Sequence, residues 1–124
     1  ASNEFLNRTI KIKEPVLYTV IINIINNAIY WLRNVDKKEI RFDYRTTNNE
    51  ILILNSGKPI EKHRISKIFN LFYSNRPSGR GIGLYLAKQS LNESYFDIEA
   101  TNDINYNYLK GACFIIKPIT TKND

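Results

Sequence analysis

The residues with the most chemistry to offer are glycines and asparagines. Gly79, Gly81 and Gly83 stand at alternate positions in Pro77-Ser78-Gly79-Arg80-Gly81-Ile82-Gly83-Leu84, and they are three of the five glycines in the chain. Backbone without a Cβ can come close to a ligand. The run behind them, with Ile82, Leu86, Ala87 and Leu91 on one stripe, reads as a helix. A glycine loop that opens a helix is an anion cradle, because free N–H groups and the positive end of the helix dipole point at the same spot. A tight turn or hinge uses the same residues, so the meaning of the loop depends on its surroundings.

A second polar group lies upstream. Glu14-Pro15 opens a helix, since proline suits the first helical turn, and the helix runs through Val16 to Arg33. Leu17, Val20, Ile21, Ile24, Ile25, Ala28, Ile29 and Leu32 give it a wide apolar face. Asn23 and Asn27, one turn apart, project from the same side. An unpartnered buried amide costs roughly 1–3 kcal/mol. The pair therefore makes helix-to-loop hydrogen bonds or forms a polar ridge facing a ligand or metal. A third asparagine, Asn55, ends an apolar run in Asn55-Ser56-Gly57-Lys58-Pro59-Ile60, at the sheet's edge, where a side chain could read a ligand.

The remaining elements must position these groups. In chain order the pattern predicts a short strand over Thr9–Lys13, the asparagine helix, and strands over Glu39–Thr46 and Glu50–Asn55 joined by Thr47-Asn48-Asn49. A short helix follows over Glu61–Asn70, bearing Ile65, Ile68 and Phe69, then the polar segment Ser74–Ser78 and the glycine-led helix. Strands over Tyr95–Ala100 and Ala112–Ile116 flank a polar loop, Asn102–Lys110, with Gly111 allowing a close turn and Pro118 ending the last strand.

At 124 residues the chain reads as a single domain over 1–124, long enough for a real core. The net charge of +6 suits a polyphosphate ligand and tolerates nucleic acid, but no basic run reaches five residues. One cysteine, Cys113, excludes an internal disulfide or a multi-cysteine metal site and points to an intracellular setting. The apolar stretch Val16–Leu32 is broken by Asn23, Asn26 and Asn27 and is not expected to span a membrane. His63, the single histidine, reads as a surface residue. Without a signal peptide, the start reads as a cut within a longer chain, of which this domain would be a C-terminal piece.

Four blocks in order, spanning Val16 to Pro118, carry a family resemblance. Asn23-Ile24-Ile25-Asn26-Asn27-Ala28 resembles the N box of the GHKL ATPases, the superfamily of gyrase, the heat-shock chaperone ATPase, histidine kinases and the MutL mismatch-repair protein. Asn55–Ile60 resembles the G1 box, Ile68-Phe69-Asn70-Leu71-Phe72-Tyr73 the F box of histidine kinases, and Gly79–Leu84 the G2 box. Gly111-Ala112-Cys113-Phe114 is similar to the last, weak glycine box. The F box and short lid make the ATP-binding catalytic domain of sensor histidine kinases the nearest relative.

That resemblance implies an α/β fold: a two-layer sandwich, the Bergerat fold, with a mixed, mostly antiparallel sheet and three helices on one face. It implies ATP and Mg²⁺ as ligands. The nucleotide would lie between the asparagine helix and a lid at Ser74–Arg80. It would meet Asn23, Asn27, Tyr30, Asn55, Gly57, Ile60, Phe69, Ser74, Arg76, Gly79, Arg80, Gly81, Ile82, Gly83, Leu84 and Ala112. Asn27 takes the metal-holding position, and Arg76 and Arg80 could offset γ-phosphate charge as bidentate donors. Hydrolytic relatives carry a glutamate general base where this chain has Asn23, which cannot take a proton near neutral pH.

Other departures concern binding. Asn55 replaces the usual adenine-reading aspartate, and is expected to pair with adenine by accepting from N6 and donating to N1. Pro59 replaces a glycine, Tyr30 stands where a phosphate-binding lysine is common, and Ala112 stands where threonine is common.

The expected activity is Mg²⁺-ATP binding and, in the longer protein, γ-phosphoryl transfer to a histidine on another domain, in two-component signalling. No acceptor histidine lies in this chain. The expected partners are a nucleotide, the phosphoacceptor and dimerisation domain of the parent chain and a response regulator, in the cytoplasm, with no membrane contact and no nucleic acid. Two other readings stand beside it: a GHKL module in which nucleotide drives a conformational switch with slow or no hydrolysis, and a basic nucleic-acid-binding domain, supported only by the +6 charge and eight tyrosines.

Overall fold

The computed structural model describes residues 14–46, 48–73 and 82–119. The strand expected over Thr9–Lys13, the site candidates Ser74, Arg76, Gly79, Arg80 and Gly81, and the whole of the proposed lid lie outside them.

The described elements are α1 (Glu14–Leu32), β1 (Ile40–Arg45), β2 (Glu50–Asn55), a 3₁₀ turn (Lys62–Arg64), α2 (Gly83–Glu93), β3 (Phe96–Ala100) and β4 (Cys113–Pro118). The strands form one sheet in the order β1-β2-β4-β3, antiparallel at every junction. Both α-helices lie on one face, giving the two-layer sandwich. The register Ile53↔Phe114 and Ile98↔Ile116 puts aliphatic and aromatic side chains on the helix-facing side of adjacent strands. Val20 and Ile24 of α1 and Ala87 and Leu91 of α2 close over them. Burial of this apolar surface is the main force holding the layers together.

Among the described residues, two helices and a 3₁₀ turn stand where three helices are expected. Over 61–70 most backbone bonds run three residues back, as in Arg64 N to Glu61 O at 2.8 Å and Asn70 N to Lys67 O at 2.9 Å. Lys62, His63 and Arg64 crowd the positive end of any helix begun there, and Ile65 and Ile68 are β-branched. The segment still delivers Ile65, Ile68 and Phe69 to the core. The helix stripes are also narrower than their patterns. Ile29 and Leu86, assigned inward from spacing, are 54% and 46% exposed. By length and hydropathy alone Pro15–Leu32 could cross a bilayer, but Val20, Ile24, Ala28 and Leu32 are buried within the fold.

The β3–β4 connection is more than the expected polar loop. The opposite sheet face carries a second apolar cluster, Leu52, Leu54, Cys113 and Ile115, and Tyr106 and Leu109 from this loop pack on it. Arg45 donates to the Asn105 carbonyl and lies 4.3 Å from the Tyr106 ring centroid. The Tyr108 hydroxyl donates to Asp43. The loop thus crosses beneath the sheet and is pinned to β1. Burial pushes the Cys113 thiol up to about 12, which leaves it an inert core residue.

At the far edge Lys88 of α2 donates to Asp97 Oδ1 at 2.6 Å and to the Ile98 carbonyl at 3.2 Å. Desolvation alone would raise the Asp97 carboxyl. Bonds from Lys88, Asn92 and the Ile98 N–H outweigh it and hold the group below its ordinary range.

If the loop is a structural cover, Leu109→Ala lowers unfolding free energy by about 2 kcal/mol. Ile104→Ala, in the same loop but 60% exposed, changes it by less than about 0.5 kcal/mol. Urea denaturation of the two variants checks this, and equal effects would mean the loop covers nothing of consequence.

Candidate functional site

Helix α1 links the described polar groups singled out from sequence. Asn23 and Asn27 are half-buried on it, and neither side chain bonds to a described residue, so helix-to-loop bonding within the described residues does not account for the pair. A Cβ built on Gly83 would come 3.2 Å from Asn23 Oδ1. The first residue of α2 therefore lies directly against the first asparagine. One end of α1 approaches the Asn55–Ile60 turn in the same way: a Cβ on Gly57 would lie 3.1 Å from the Trp31 carbonyl oxygen.

The start of α2 has no side-chain cap, and Leu86 N to Ile82 O at 2.8 Å is among its first-turn bonds. The leading amides have no earlier helical carbonyl to bond.

Asn55 departs most from expectation. It does not stand at the sheet's edge but at the end of the inner strand β2, only 2% exposed. Its Oδ1 accepts from Gly57 N at 2.9 Å and from Ala112 N at 3.3 Å, while its own N–H donates to the Ala112 carbonyl at 2.9 Å. An amide oxygen has two lone pairs, and both are engaged. Exchanging Oδ1 and Nδ2 would set a donor against two backbone donors, so the amide has one orientation. The expected acceptance from adenine N6 is therefore corrected: that oxygen is taken. Among the described residues, the buried polar atoms without a partner are Glu50 Oε1 and Asn107 Oδ1, not Asn55 Nδ2.

Gly111 completes the lock. A Cβ there would fall 2.1 Å from the Asn55 carbonyl oxygen and 2.7 Å from Gly57 N. Asn107 Nδ2 donates to the Gly111 carbonyl at 2.7 Å, holding it from the loop side. The two apparently weak glycine boxes are one packed unit.

The remaining candidates divide. Ile60 and Leu84 are half-buried against the main core, and Ile82 precedes α2. Phe69 does not join the asparagines. It packs edge-to-face on Phe114, centroids 6.2 Å apart, with Lys88 Nζ 5.4 Å from its own. It also lines a separate cleft of about 610 Å³ with Ile65, Leu71, Tyr85 and Lys88, which contains none of Asn23, Asn27 and Asn55. Tyr30 packs edge-to-face on Trp31 and carries the Arg33 guanidinium 4.2 Å from its ring centroid. Arg33 is a cation that the motif reading missed. Its signal is the i, i+3 spacing from Tyr30 across the helix end. His63 is exposed beside Glu61, with Nδ1 to Oε2 3.8 Å, as expected of a surface residue.

The two glycines predict opposite outcomes. Gly111→Ala meets backbone that cannot yield, so its melting temperature falls by more than about 10 °C or the chain fails to fold. Gly83→Ala meets only the end of a side chain, and alanine favours the helix, so its melting temperature stays within about 3 °C of the parent. Thermal unfolding followed by circular dichroism decides; equal losses would refute the packed Asn55–Gly111 lock.

Residues 12–121 match the family model described as histidine kinase-, DNA gyrase B- and HSP90-like ATPase. The chain is similar to the signal transduction histidine-protein kinase AtoS of Escherichia coli, 30% identical over 111 residues, covering 88% of this chain and 18% of that protein. It is similar to the sensor protein SrrB of Staphylococcus aureus, 26% identical over 104 residues, covering 79% of this chain and 17% of that protein. The chain thus spans about a fifth of these relatives. The solved catalytic domain of histidine kinase ThkA superposes with a TM-score of 0.67 at 26% identity, over 86% of this chain and 68% of that one. The mycobacterial sensor histidine kinase MprB shares the fold at 21% identity and a TM-score of 0.65. With its blocks in order, its sandwich fold and its asparagine helix facing the glycine-led helix, the chain belongs to the histidine kinase-, DNA gyrase B- and HSP90-like ATPase family, in its histidine-kinase type.

Proposed function

We propose that the chain binds a Mg²⁺-nucleoside triphosphate where α1, the end of β2 and the start of α2 meet, and serves as the catalytic domain of a histidine kinase. The observation that carries this reading is the contact between Gly83 and Asn23. It sets the uncapped end of α2 beside Asn23, with Asn27 one turn further along α1, and the two donor sets suit the two halves of a metal-triphosphate. Helix amides take phosphate oxygens. Amide oxygens suit Mg²⁺, which binds hard oxygen ligands and keeps several waters.

The residues present fit such a group. Asn27 would supply one oxygen ligand without adding negative charge beside a triphosphate. Asn23 lies one turn earlier, against Gly83, and positions the α2 end. Arg33, held on the Tyr30 ring, supplies a cation at the end of α1 where the common lysine is absent. Bound Mg²⁺ would offset charge on the β- and γ-phosphates. Asn23 cannot act as a general base, so the site favours transfer over hydrolysis. A histidine imidazole is already a nucleophile. Its nitrogen forms the bond to Pγ as the bond from Pγ to the bridging oxygen breaks and the nucleoside diphosphate leaves. Positioning and charge stabilisation are then the main demands on this domain.

The acceptor histidine belongs, in this reading, to a dimerisation domain of the longer parent chain, with a response regulator receiving the phosphoryl group next. The same role places the domain in the cytoplasm, where nucleoside triphosphates are available.

Calorimetric titration tests the site. Asn27→Ala weakens nucleoside triphosphate binding by about tenfold in Mg²⁺, and changes it little in EDTA. Equal losses under both conditions would make Asn27 structural and remove the metal from this position.

A further inference from the structure

Strand β3 ends the sheet and is paired with β4 alone among the described residues. In an antiparallel ladder, every second residue of such a strand turns its N–H and C=O away from the partner. The flanking bonds fix which residues do so here. Ile119 N donates to the Tyr95 carbonyl at 2.9 Å, and Thr101 N donates to the Cys113 carbonyl at 3.0 Å. Tyr95, Asp97, Glu99 and Thr101 therefore bond toward β4, and Phe96, Ile98 and Ala100 turn their backbone groups outward. The cleft lined by Ile98, Glu99 and Ala100 opens on that edge, and no described strand fills it. An edge of this kind is a template for another strand.

In this chain the middle of the edge is taken by side chains. Asp97 Oδ1 accepts from Ile98 N at 2.8 Å, and Lys88 Nζ donates to the Ile98 carbonyl at 3.2 Å. Asn92 Nδ2 donates to the Phe96 carbonyl at 2.9 Å. Lys88 and Asn92 stand one turn apart on α2 and reach over the same edge. Both also donate to Asp97 Oδ1, at 2.6 and 3.1 Å. The three side chains thus hold one another in place on the outward backbone groups, and both groups of the central residue are covered.

We infer that Lys88, Asn92 and Asp97 keep the β3 edge closed to strand addition by a second copy of this chain. The inference does not depend on the nucleotide site. The strand Phe96-Asp97-Ile98-Glu99-Ala100 matches itself. Two such strands related by a two-fold axis at Ile98 set Ile98 opposite Ile98 and Phe96 opposite Ala100, apolar against apolar. Every outward-facing residue of one copy then meets an outward-facing residue of the other, and each such pair can exchange both its N–H···O bonds. The same register sets Asp97 opposite Glu99 of the copy, and like charges directly opposite destabilise a strand pair. Asp97 therefore opposes pairing twice, by occupying the Ile98 N–H and by its charge.

The double variant Lys88→Ala/Asp97→Ala tests this. It removes one charge of each sign, so the net charge stays at +6, and it bares both backbone groups of Ile98. Sedimentation equilibrium compares it with the native chain and with Leu109→Ala, which is weakened beneath the opposite sheet face. The native chain and Leu109→Ala stay monomeric, whereas the double variant self-associates more tightly by about tenfold or more. As its concentration rises, its Phe96, Ile98 and Ala100 amides gain protection from hydrogen exchange. Asp97→Ala alone gives a smaller increase of the same kind and carries the test if the double variant fails to fold. A folded double variant that associates no more than the native chain overturns the inference. Association without protection at Ile98 and Ala100 overturns it too, as does equal association of Leu109→Ala, which would trace the effect to lost stability. Native self-association through these amides would show that the edge is open.

Discussion

One side-chain oxygen sits where three chain segments must meet. Oδ1 of Asn55 accepts the N–H of Gly57, two residues ahead, and the N–H of Ala112, just before β4. The first bond turns the chain out of β2. The second ties that turn to the neighbouring strand beyond the last ladder pair. Gly111 has to lack a side chain because the Asn55 carbonyl and the Gly57 amide occupy the space. Remove the oxygen, and two buried N–H groups lose their partner, each a penalty of roughly 1–3 kcal/mol. The end of the sheet, on which the proposed nucleotide site is built, depends on that acceptor.

The same acceptor connects fold to site through α1. Trp31 stands against Gly57, and Asn23 against Gly83, so one helix spans the turn after β2 and the start of α2. Its buried stripe, Val20, Ile24, Ala28 and Leu32, repeats every four residues and anchors it to the sheet side. Asn23 and Asn27 repeat with the same spacing one position earlier, so the apolar stripe sets the direction of the polar one. On the opposite face the pinned β3–β4 loop holds Gly111 in place through Asn107. The site is supported from both sides of the sheet, and by residues that never touch it.

Much of this was legible in the sequence, because it rests on periodicity and turn chemistry. Strand alternation located β1 and β2, and the Asn-Ser-Gly and Gly-Ala-Cys turns fell where the blocks put them. The family blocks located the asparagine helix and the glycine-led helix. Three features were not legible. The segment 61–70 has helical apolar spacing, but its cations crowd the wrong end of the dipole and only a 3₁₀ turn forms. The Asn102–Lys110 loop reads as solvent-exposed by composition, yet Tyr106 and Leu109 cover apolar residues that alternate onto the second sheet face. Composition alone does not say where a loop will lie. Asn55 shows the third limit. Residue type gave an amide with two ends, and only the neighbours Gly57 and Ala112 decide which end remains available.

The central claim is that nucleotide binds where the asparagines of α1, the Asn55 turn and the amides opening α2 converge. Two-dimensional ¹H–¹⁵N spectra recorded while Mg²⁺-nucleotide is added test it most directly. The account predicts that the side-chain amides of Asn23, Asn27 and Asn55 and the backbone amides of Gly83 and Leu84 shift together and saturate at one affinity. The Gly57 and Ala112 amides should be protected from hydrogen exchange before any nucleotide is present. Shifts confined to the separate cleft around Ile65, Tyr85 and Lys88, or rapid exchange at Gly57 and Ala112 in the free protein, would contradict it.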